Sequence, residues 1–191
     1  MPADHDINFQ DIRFVFLDRD GVLNRKPGDG KYVTNMGELS LLPGVREAVA
    51  QLNRSGRKAI VVTNQRGIAL GLYTQEDLAR IHDDLRRQLA ENGAHLDAIY
   101  VCPHDNGQCN CRKPLTGLFE QAFHDFPDAT PANSLMIGDS IRDIEAGVRF
   151  GMRTVFIVDV AAGASDVRAR AAALADATTP SLAAFVSQYM A

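Results

Sequence analysis

Acidic side chains stand directly behind two apolar runs of this 191-residue chain. Asp18 and Asp20 follow the run RFVFL, and Asp139 follows SLMI with one glycine between. Side chains two positions apart on an extended backbone point the same way, so Asp18 and Asp20 can face one small volume. Crowded carboxylates repel each other unless a cation or a shared proton compensates them, and Mg²⁺ prefers oxygen ligands. If the strands are parallel, these three residues predict a magnesium site.

The three cysteines of the chain all lie within ten residues, together with one histidine. The set is Cys102, His104, Cys109 and Cys111. Three thiolates and one imidazole match a closed tetrahedral zinc site without an open position, which indicates a structural zinc and not a catalytic one. An odd number of cysteines at these spacings does not resemble a secreted disulfide framework, and the alternative is a set of reduced thiols without metal. Arg112 and Lys113 follow at once, so zinc is expected to stiffen the loop that places them.

The rest of the pattern predicts the elements that would position these residues. Runs rich in β-branched and aromatic residues predict strands at residues 13–17, 58–63, 97–102, 134–137 and 153–158. Helical periodicity predicts helices at residues 45–52, 74–89, 116–124, 141–149, 166–175 and 181–189. Alternating strands and helices favour one α/β domain over residues 1–191 with a doubly wound, parallel, five-stranded sheet between helical layers. Such a sheet binds its ligand at the carboxyl ends of the strands, where the strand order reverses.

Composition limits the partners of the protein. A net charge of -4 and a pI near 5.7 argue against nucleic acid or an anionic membrane as the main partner. No apolar run approaches the roughly 20 residues of a membrane span, and the amino terminus lacks the pattern of a secretory signal. We therefore expect a cytoplasmic protein, a monomer or small homo-oligomer, that holds a small anionic metabolite by local contacts.

Four segments together resemble a known family, although a single aspartate after a strand is more often a solvated turn residue or a helix cap. The segments are DRDGVLN at 18–24, TNQRG at 63–67, RKP at 112–114 and GDSIRDIEAG at 138–147. In this order they closely resemble the haloacid dehalogenase-like superfamily of aspartate-nucleophile phosphatases, over about residues 13–158. The resemblance implies a Rossmann-like three-layer α/β/α fold and phosphomonoester hydrolysis through an aspartyl phosphate.

The resemblance also implies a role for each matching residue. Asp18 corresponds to the nucleophile and Asp20 to the general acid and base. Mg²⁺ would lie between Asp18, the backbone carbonyl of Asp20, and Asp139. The groups expected to receive the phosphoryl oxygens are Thr63 and Lys113. Asp143 either supports the metal from behind its ligands or only occupies the first helical turn favourably.

The zinc loop before RKP resembles the branch that contains the heptose 1,7-bisphosphate phosphatases and the histidinol-phosphate phosphatases, which lack a large cap domain. The run GIALG after the second motif is more similar to the heptose branch. The predicted function is therefore heptose bisphosphate dephosphorylation in bacterial surface-polysaccharide precursor synthesis. Histidinol-phosphate hydrolysis and a non-catalytic module that binds phosphate ligands are the alternatives. The predicted substrate contacts are Asn64, Gln65, Arg66, Arg112, Arg25, Lys26 and Ser140.

Overall fold

A computed structural model describes residues 9–28, 30–158, 163 and 165–190. Its sheet contains β1 Phe14–Leu17, β2 Lys58–Asn64, β3 Ala98–Cys102, β4 Ser134–Gly138, β5 Arg153–Ile157 and β6 Ala177–Thr179. The strands lie in the order β3-β2-β1-β4-β5-β6, and every neighbouring pair is parallel. The direction of winding reverses between β1 and β4, so the carboxyl ends of these two strands are the expected ligand site.

The described residues contain six α-helices, of which five connect successive strands and the sixth follows β6. They are α1 Val45–Arg54, α2 Gln75–Ala90, α3 Gly117–Asp125, α4 Ile141–Arg149, α5 Asp166–Leu174 and α6 Leu182–Tyr189. Two short 3₁₀ helices span Met36–Glu38 and Pro131–Asn133. The start of α2 is set by a capping box, in which the hydroxyl of Thr74 and the carboxylate of Asp77 each accept a backbone N–H of the other residue.

The central strand β1 is buried on both faces, because alternate side chains enter two different cores. Val15 and Leu17 pack into the core under α1, α2 and α6. Phe14 and Phe16 pack into the core under α3 and α4. The sheet therefore lies between two helical layers, which confirms the predicted doubly wound α/β/α architecture.

The predicted number of strands was wrong, because β6 adds a sixth strand beside β5. Its three residues, Ala177–Thr179, offer only one buried side chain and no apolar run that would signal a strand. The predicted helix at 181–189 exists as α6, and Phe185 and Val186 are fully buried in the core under α1. Both ends of the predicted single domain, residues 1–8 and 191, lie outside the described part of the chain.

Within the described residues, the connections around β1 and β2 contain no separate cap domain. The segment from β1 to α1 holds only loop and one 3₁₀ helix, and residues 65–74 join β2 to α2 directly. None of the helices in the described ranges is long and apolar enough to cross a bilayer.

Candidate active site

Three carboxylates from two distant parts of the chain meet at the carboxyl end of the sheet. Asp18 follows β1, Asp139 follows β4, and Asp143 lies in the first turn of α4. One oxygen of each lies within 4.8 Å of the others. The close approach of Asp139 to the β1–α1 loop depends on Gly21, whose φ of +85° favours glycine. A Cβ atom at this position would lie 2.3 Å from Oδ2 of Asp139. The predicted meeting of Asp18 and Asp139 is thus present, and Asp143 joins them.

A buried lysine lies against this cluster of carboxylates. The Nζ of Lys113 is 3.0 Å from Oδ1 of Asp18 and 2.6 Å from Oδ1 of Asp143, and it donates to the Val62 carbonyl at 2.7 Å. Only 2% of the Lys113 side chain is exposed. Burial disfavours the ammonium, but Asp143 and Asp18 outweigh it and raise the pKa of Lys113. The group is therefore a fixed positive charge beside Asp18.

The positive charge of Lys113 compensates only part of the negative charge of the clustered carboxylates. Burial raises the pKa of Asp18 to about 7; Asp143, Asp139 and Asp20 add to this rise, and Lys113 opposes it. Burial also raises the pKa of Asp139, although Lys26 donates to its Oδ2 at 2.7 Å.

The second oxygen of Asp139, Oδ1, is buried and has no hydrogen-bond partner among the described residues. An unpartnered buried oxygen among crowded carboxylates is an unfavourable arrangement without a cation. The donor set therefore fits a hard divalent cation such as Mg²⁺.

The side chain of Asp20 is not part of this cluster and is surrounded by hydrogen-bond donors. Arg19 donates to its two oxygens at 3.1 and 2.9 Å. Asn24 donates at 2.9 Å, and the Gln65 amide donates at 3.1 Å. With 22% of its side chain exposed, Asp20 still reaches the cavity that Asp18 lines. Its carboxylate is therefore held in one orientation at the edge of the candidate site.

The four predicted zinc ligands converge as the sequence pattern requires. The Sγ of Cys102 is 3.6 Å from Sγ of Cys109 and 3.8 Å from Nδ1 of His104. The Sγ of Cys111 is 3.3 Å from the same nitrogen. A tetrahedron with Zn–S bonds of about 2.3 Å separates its ligand atoms by roughly 3.5–3.8 Å. The distances of 3.6 and 3.8 Å lie in this range and that of 3.3 Å is slightly shorter, so the ligands are close to the arrangement that zinc requires. The loop of these ligands leads directly into Lys113.

A cavity of about 610 Å³ opens above the carboxylates. It lies between the β1–α1 loop, the loop at residues 112–113 and the start of α4. The predicted substrate contacts that line it are Lys26, Asn64, Arg112 and Ser140. Those that do not line it are Gln65, Arg66 and Arg25, and Thr63, predicted to receive phosphoryl oxygens, does not line it either.

The predicted contacts outside the cavity have other partners or are exposed. The buried hydroxyl of Thr63 accepts a hydrogen bond from Gln65 at 2.8 Å. Arg66 pairs with Asp105 of the zinc loop at 2.5 Å, and Arg25 is exposed. Direct contacts of these side chains with substrate stay predictions.

Comparisons with known proteins agree with this geometry. A family model described as HAD-hydrolase-like matches residues 110–185. A Mycobacterium bovis protein named D-glycero-alpha-D-manno-heptose-1,7-bisphosphate 7-phosphatase is 42% identical over 132 residues, 69% of each chain. This chain belongs to the HAD-like phosphatase family. A further relative of this HAD-like phosphatase, from Vibrio cholerae, is named D-glycero-beta-D-manno-heptose-1,7-bisphosphate 7-phosphatase and is 40% identical over 152 residues, 75% of this chain and 80% of the relative.

Solved structures show the same relationship for the HAD-like phosphatase. The D,D-heptose 1,7-bisphosphate phosphatase of B. bronchiseptica, complexed with magnesium and phosphate, superimposes with a TM-score of 0.81. The two chains are 31% identical, and the match covers 94% of this chain and 98% of the other. The predicted resemblance to the superfamily is therefore confirmed, and magnesium is the cation that the comparison supports.

Two features of the site had no clear signal in the sequence. His82 has no partner at informative spacing and would be expected to serve packing or to face solvent, but in the fold its Nε2 lies 3.3 Å from Arg19. Tyr73 donates to the Gln65 side chain at 2.6 Å. Both contacts join residues of different elements, so only the tertiary structure brings them together.

Proposed function

We propose that this HAD-like phosphatase hydrolyses D-glycero-D-manno-heptose 1,7-bisphosphate at the 7-phosphate, through an aspartyl phosphate on Asp18. The observation that carries the chemistry is the contact of Asp18 with the buried ammonium of Lys113, beside the carboxylates of Asp139 and Asp143. The substrate is supported by the names of the relatives from Mycobacterium bovis and Vibrio cholerae. The role would place the protein in bacterial surface-polysaccharide precursor synthesis.

In the first step, an oxygen of Asp18 attacks phosphorus while the bond between phosphorus and the sugar oxygen breaks. Protonated Asp20 gives its proton to the departing sugar oxygen, and the ammonium of Lys113 stabilises the charge on the transferring oxygens. In the second step, Asp20 takes a proton from water, and the resulting hydroxide attacks phosphorus. Inorganic phosphate leaves, and the Asp18 carboxylate and protonated Asp20 are restored.

Two metals would assist these residues. Mg²⁺, held by Asp18, Asp139 and the backbone carbonyl of Asp20, would compensate the clustered carboxylates and the charge of the phosphoryl group. Zinc at the four Cys and His ligands would leave no open position and so would keep the loop before Lys113 in place. Asp143 accepts from the hydroxyl and the backbone N–H of Ser140 and pairs with Lys113, so it would act by orienting Lys113.

A bisphosphate fits the charge of the cavity better than histidinol phosphate does. Besides Lys113 and Lys26, which pair with carboxylates of the reacting site, the lining includes the cationic side chains of Lys31, Arg112 and Arg142. Cations beyond the reacting site suit a second phosphate, which guanidinium and ammonium groups bind by charge-assisted hydrogen bonds. The amine of histidinol phosphate would be repelled there. A volume of about 610 Å³ also lies within the usual range for a small-molecule pocket.

The test is phosphate release by purified protein with Mg²⁺, using both anomers of the heptose bisphosphate and histidinol phosphate. We expect kcat/KM to be highest for a heptose bisphosphate and the product to keep its anomeric phosphate. A higher kcat/KM for histidinol phosphate would refute the proposed substrate while leaving the phosphatase chemistry intact. Metal analysis of the same sample should give one zinc per chain.

The Asp18→Asn variant separates an enzyme from a module that only binds phosphate ligands. The amide cannot act as the nucleophile, so turnover should fall at least a thousandfold while the thermal unfolding curve keeps its shape. The matched control is Asp83→Asn, which changes an aspartate with 78% of its side chain exposed on α2. Equal turnover in the wild type and Asp18→Asn would exclude the aspartyl phosphate.

A further inference from the structure

We propose that His82 and Tyr73 are positioning residues that hold the Asp20 carboxylate in the orientation for proton transfer, each through one intermediate side chain. Arg19 is the intermediate for His82, and Gln65 is the intermediate for Tyr73. The inference rests on the proposed function, because it takes Asp20 as the general acid and base.

The first arm runs from α2 through a buried guanidinium. Arg19 is 1% exposed, and its two terminal nitrogens point to different partners: Nη2 to Asp20 and Nη1 to Nε2 of His82 at 3.3 Å. A guanidinium has no acceptor, so Nε2 must accept and the proton of the neutral imidazole must lie on Nδ1. Burial and the positive charge of Arg19 lower the pKa of His82 to about 3, which keeps the ring in this accepting form.

The geometry leaves Arg19 little freedom. Its Nε is buried without a partner among the described residues, so the contacts of the terminal nitrogens fix the plane of the group. Without the acceptor at His82, Nη1 would lose its partner in a buried site, which is costly for a charged donor. Rotation of the guanidinium towards another acceptor would then withdraw Nη2 from Asp20.

The second arm reaches Asp20 through an amide, which donates to Oδ2, an oxygen that Arg19 also contacts. The hydroxyl of Tyr73 donates to Oε1 of Gln65 at 2.6 Å, and Nε2 of Gln65 donates to Asp20 at 3.1 Å and to Thr63 at 2.8 Å. Burial raises the pKa of Tyr73 to about 12, so the hydroxyl remains a donor. A donor at Oε1 fixes the direction of the amide and aims its N–H groups at Asp20.

Close packing keeps Tyr73 in place. An added Cβ on Gly67 would lie 2.2 Å from Cε1 of the Tyr73 ring, so the absence of a side chain allows the loop to pack on the ring. Tyr73 is 5% exposed. His82 lies in α2 and Tyr73 in the segment at residues 65–74, and the two arms converge on Asp20.

The experiment compares an alkyl phosphate with p-nitrophenyl phosphate in His82→Gln, His82→Leu and Tyr73→Phe. The alkoxide of an alkyl phosphate needs a proton to leave, whereas p-nitrophenolate is a stable anion that leaves without one. A misplaced general acid should therefore lower kcat/KM for the alkyl phosphate more than for p-nitrophenyl phosphate. The amide of Gln can place an acceptor where Nε2 lies, and Leu cannot. The control His124→Leu changes an exposed histidine at the end of α3.

We expect His82→Leu and Tyr73→Phe to lower kcat/KM for heptose bisphosphate about tenfold or more. This loss is a fraction of the roughly 10²–10⁴-fold acceleration that general acid catalysis contributes. The same variants should lower kcat/KM for p-nitrophenyl phosphate less than threefold. His82→Gln and His124→Leu should stay within threefold of the wild type on both substrates. Equal losses on both substrates, or no loss, would overturn the inference.

Three outcomes need separate treatment. If His82→Leu fails to fold, Tyr73→Phe decides the question, because it removes one hydroxyl and keeps the ring. If the wild type hydrolyses p-nitrophenyl phosphate but not heptose bisphosphate, the proposed substrate fails and its best alkyl phosphate substrate replaces it in the comparison. If the wild type hydrolyses no phosphomonoester with Mg²⁺, the proposed function fails and the inference with it.

Discussion

Replacing Lys113 by Met removes one buried positive charge and keeps most of the volume of the side chain. In the native protein, the ammonium compensates Asp18 and Asp143, and the Asp143 carboxylate is 1% exposed. The variant would leave the carboxylates of Asp18, Asp139 and Asp143 crowded together. Lys26 would still pair with Asp139 but forms no ion pair with the other two among the described residues.

Removing one partner of a buried ion pair typically costs about 3–5 kcal/mol, because the other charge stays buried without compensation. A loss of this size is a large part of the roughly 5–15 kcal/mol that stabilises a folded domain. For a domain of this length it corresponds to a fall in Tm of about 10 °C. The matched control is Lys58→Met, since the Lys58 side chain is 48% exposed and pairs with Asp97 at 2.8 Å. Such a surface pair contributes about 0–1 kcal/mol.

The assay is urea denaturation followed by circular dichroism, first without Mg²⁺ and then with a saturating concentration, with the zinc left in place. A ligand that binds only the folded state at a hundred times its Kd adds about 2.7 kcal/mol. Mg²⁺ should stabilise Lys113→Met more than it stabilises the wild type, because the carboxylates of the variant lack the ammonium. Equal losses in the Lys113 and Lys58 variants, or equal responses to Mg²⁺, would refute the proposed charge balance.

Three further predictions follow from other parts of the site. Gly21→Ala should weaken Mg²⁺ binding at least tenfold in titration calorimetry, because the added methyl group would displace the Asp139 carboxylate. The control Gly56→Ala has a similar φ of +75° and open space around it, so it should lose only about 1–2 kcal/mol of stability and keep its Mg²⁺ affinity. Because the pKa of His82 is about 3 when folded and about 6.5 when unfolded, the unfolded state binds the extra proton. Urea titrations should therefore show the stability of the wild type falling by about 2 kcal/mol relative to His82→Gln between pH 6.5 and pH 5, since both proteins share the opposing effect of the raised pKa of Asp18. Cys111→Ser should lose the zinc and speed amide hydrogen exchange at residues 103–112, and unchanged exchange would contradict a stiffening role for zinc.

The sequence predicted those parts of the site that depend on local order and on parallel strand ends. Asp18 and Asp139 meet because each follows a strand whose apolar pattern is clear, and β1 and β4 are neighbours. The zinc ligands lie within ten residues, so their convergence needs little knowledge of the fold. By contrast, β6 has three residues and gains its stability from pairing with β5, which no local pattern shows.

Long-range side-chain contacts were the part that the sequence did not predict. His82 has the helical spacing of a core residue, and only the packing of α2 against the β1–α1 loop brings it to Arg19. The role of Asp143 was open between support of the metal and a favourable position in the first helical turn, and in the structure it accepts the backbone N–H of Ser140 at the start of α4 and also contacts Lys113. Such contacts depend on side-chain geometry between elements, to which hydrophobic periodicity is insensitive.

The strand order has a consequence for synthesis of the chain on the ribosome. β1 is translated first, but one of its two neighbours, β4, follows only after residue 133 has been made. Until then, one edge of a fully apolar strand has no hydrogen-bonding partner, and such edges promote intermolecular association. Chains that stall before residue 134 should therefore aggregate or recruit chaperones, and the half of the catalytic centre that follows β4 is among the last parts of the protein to form.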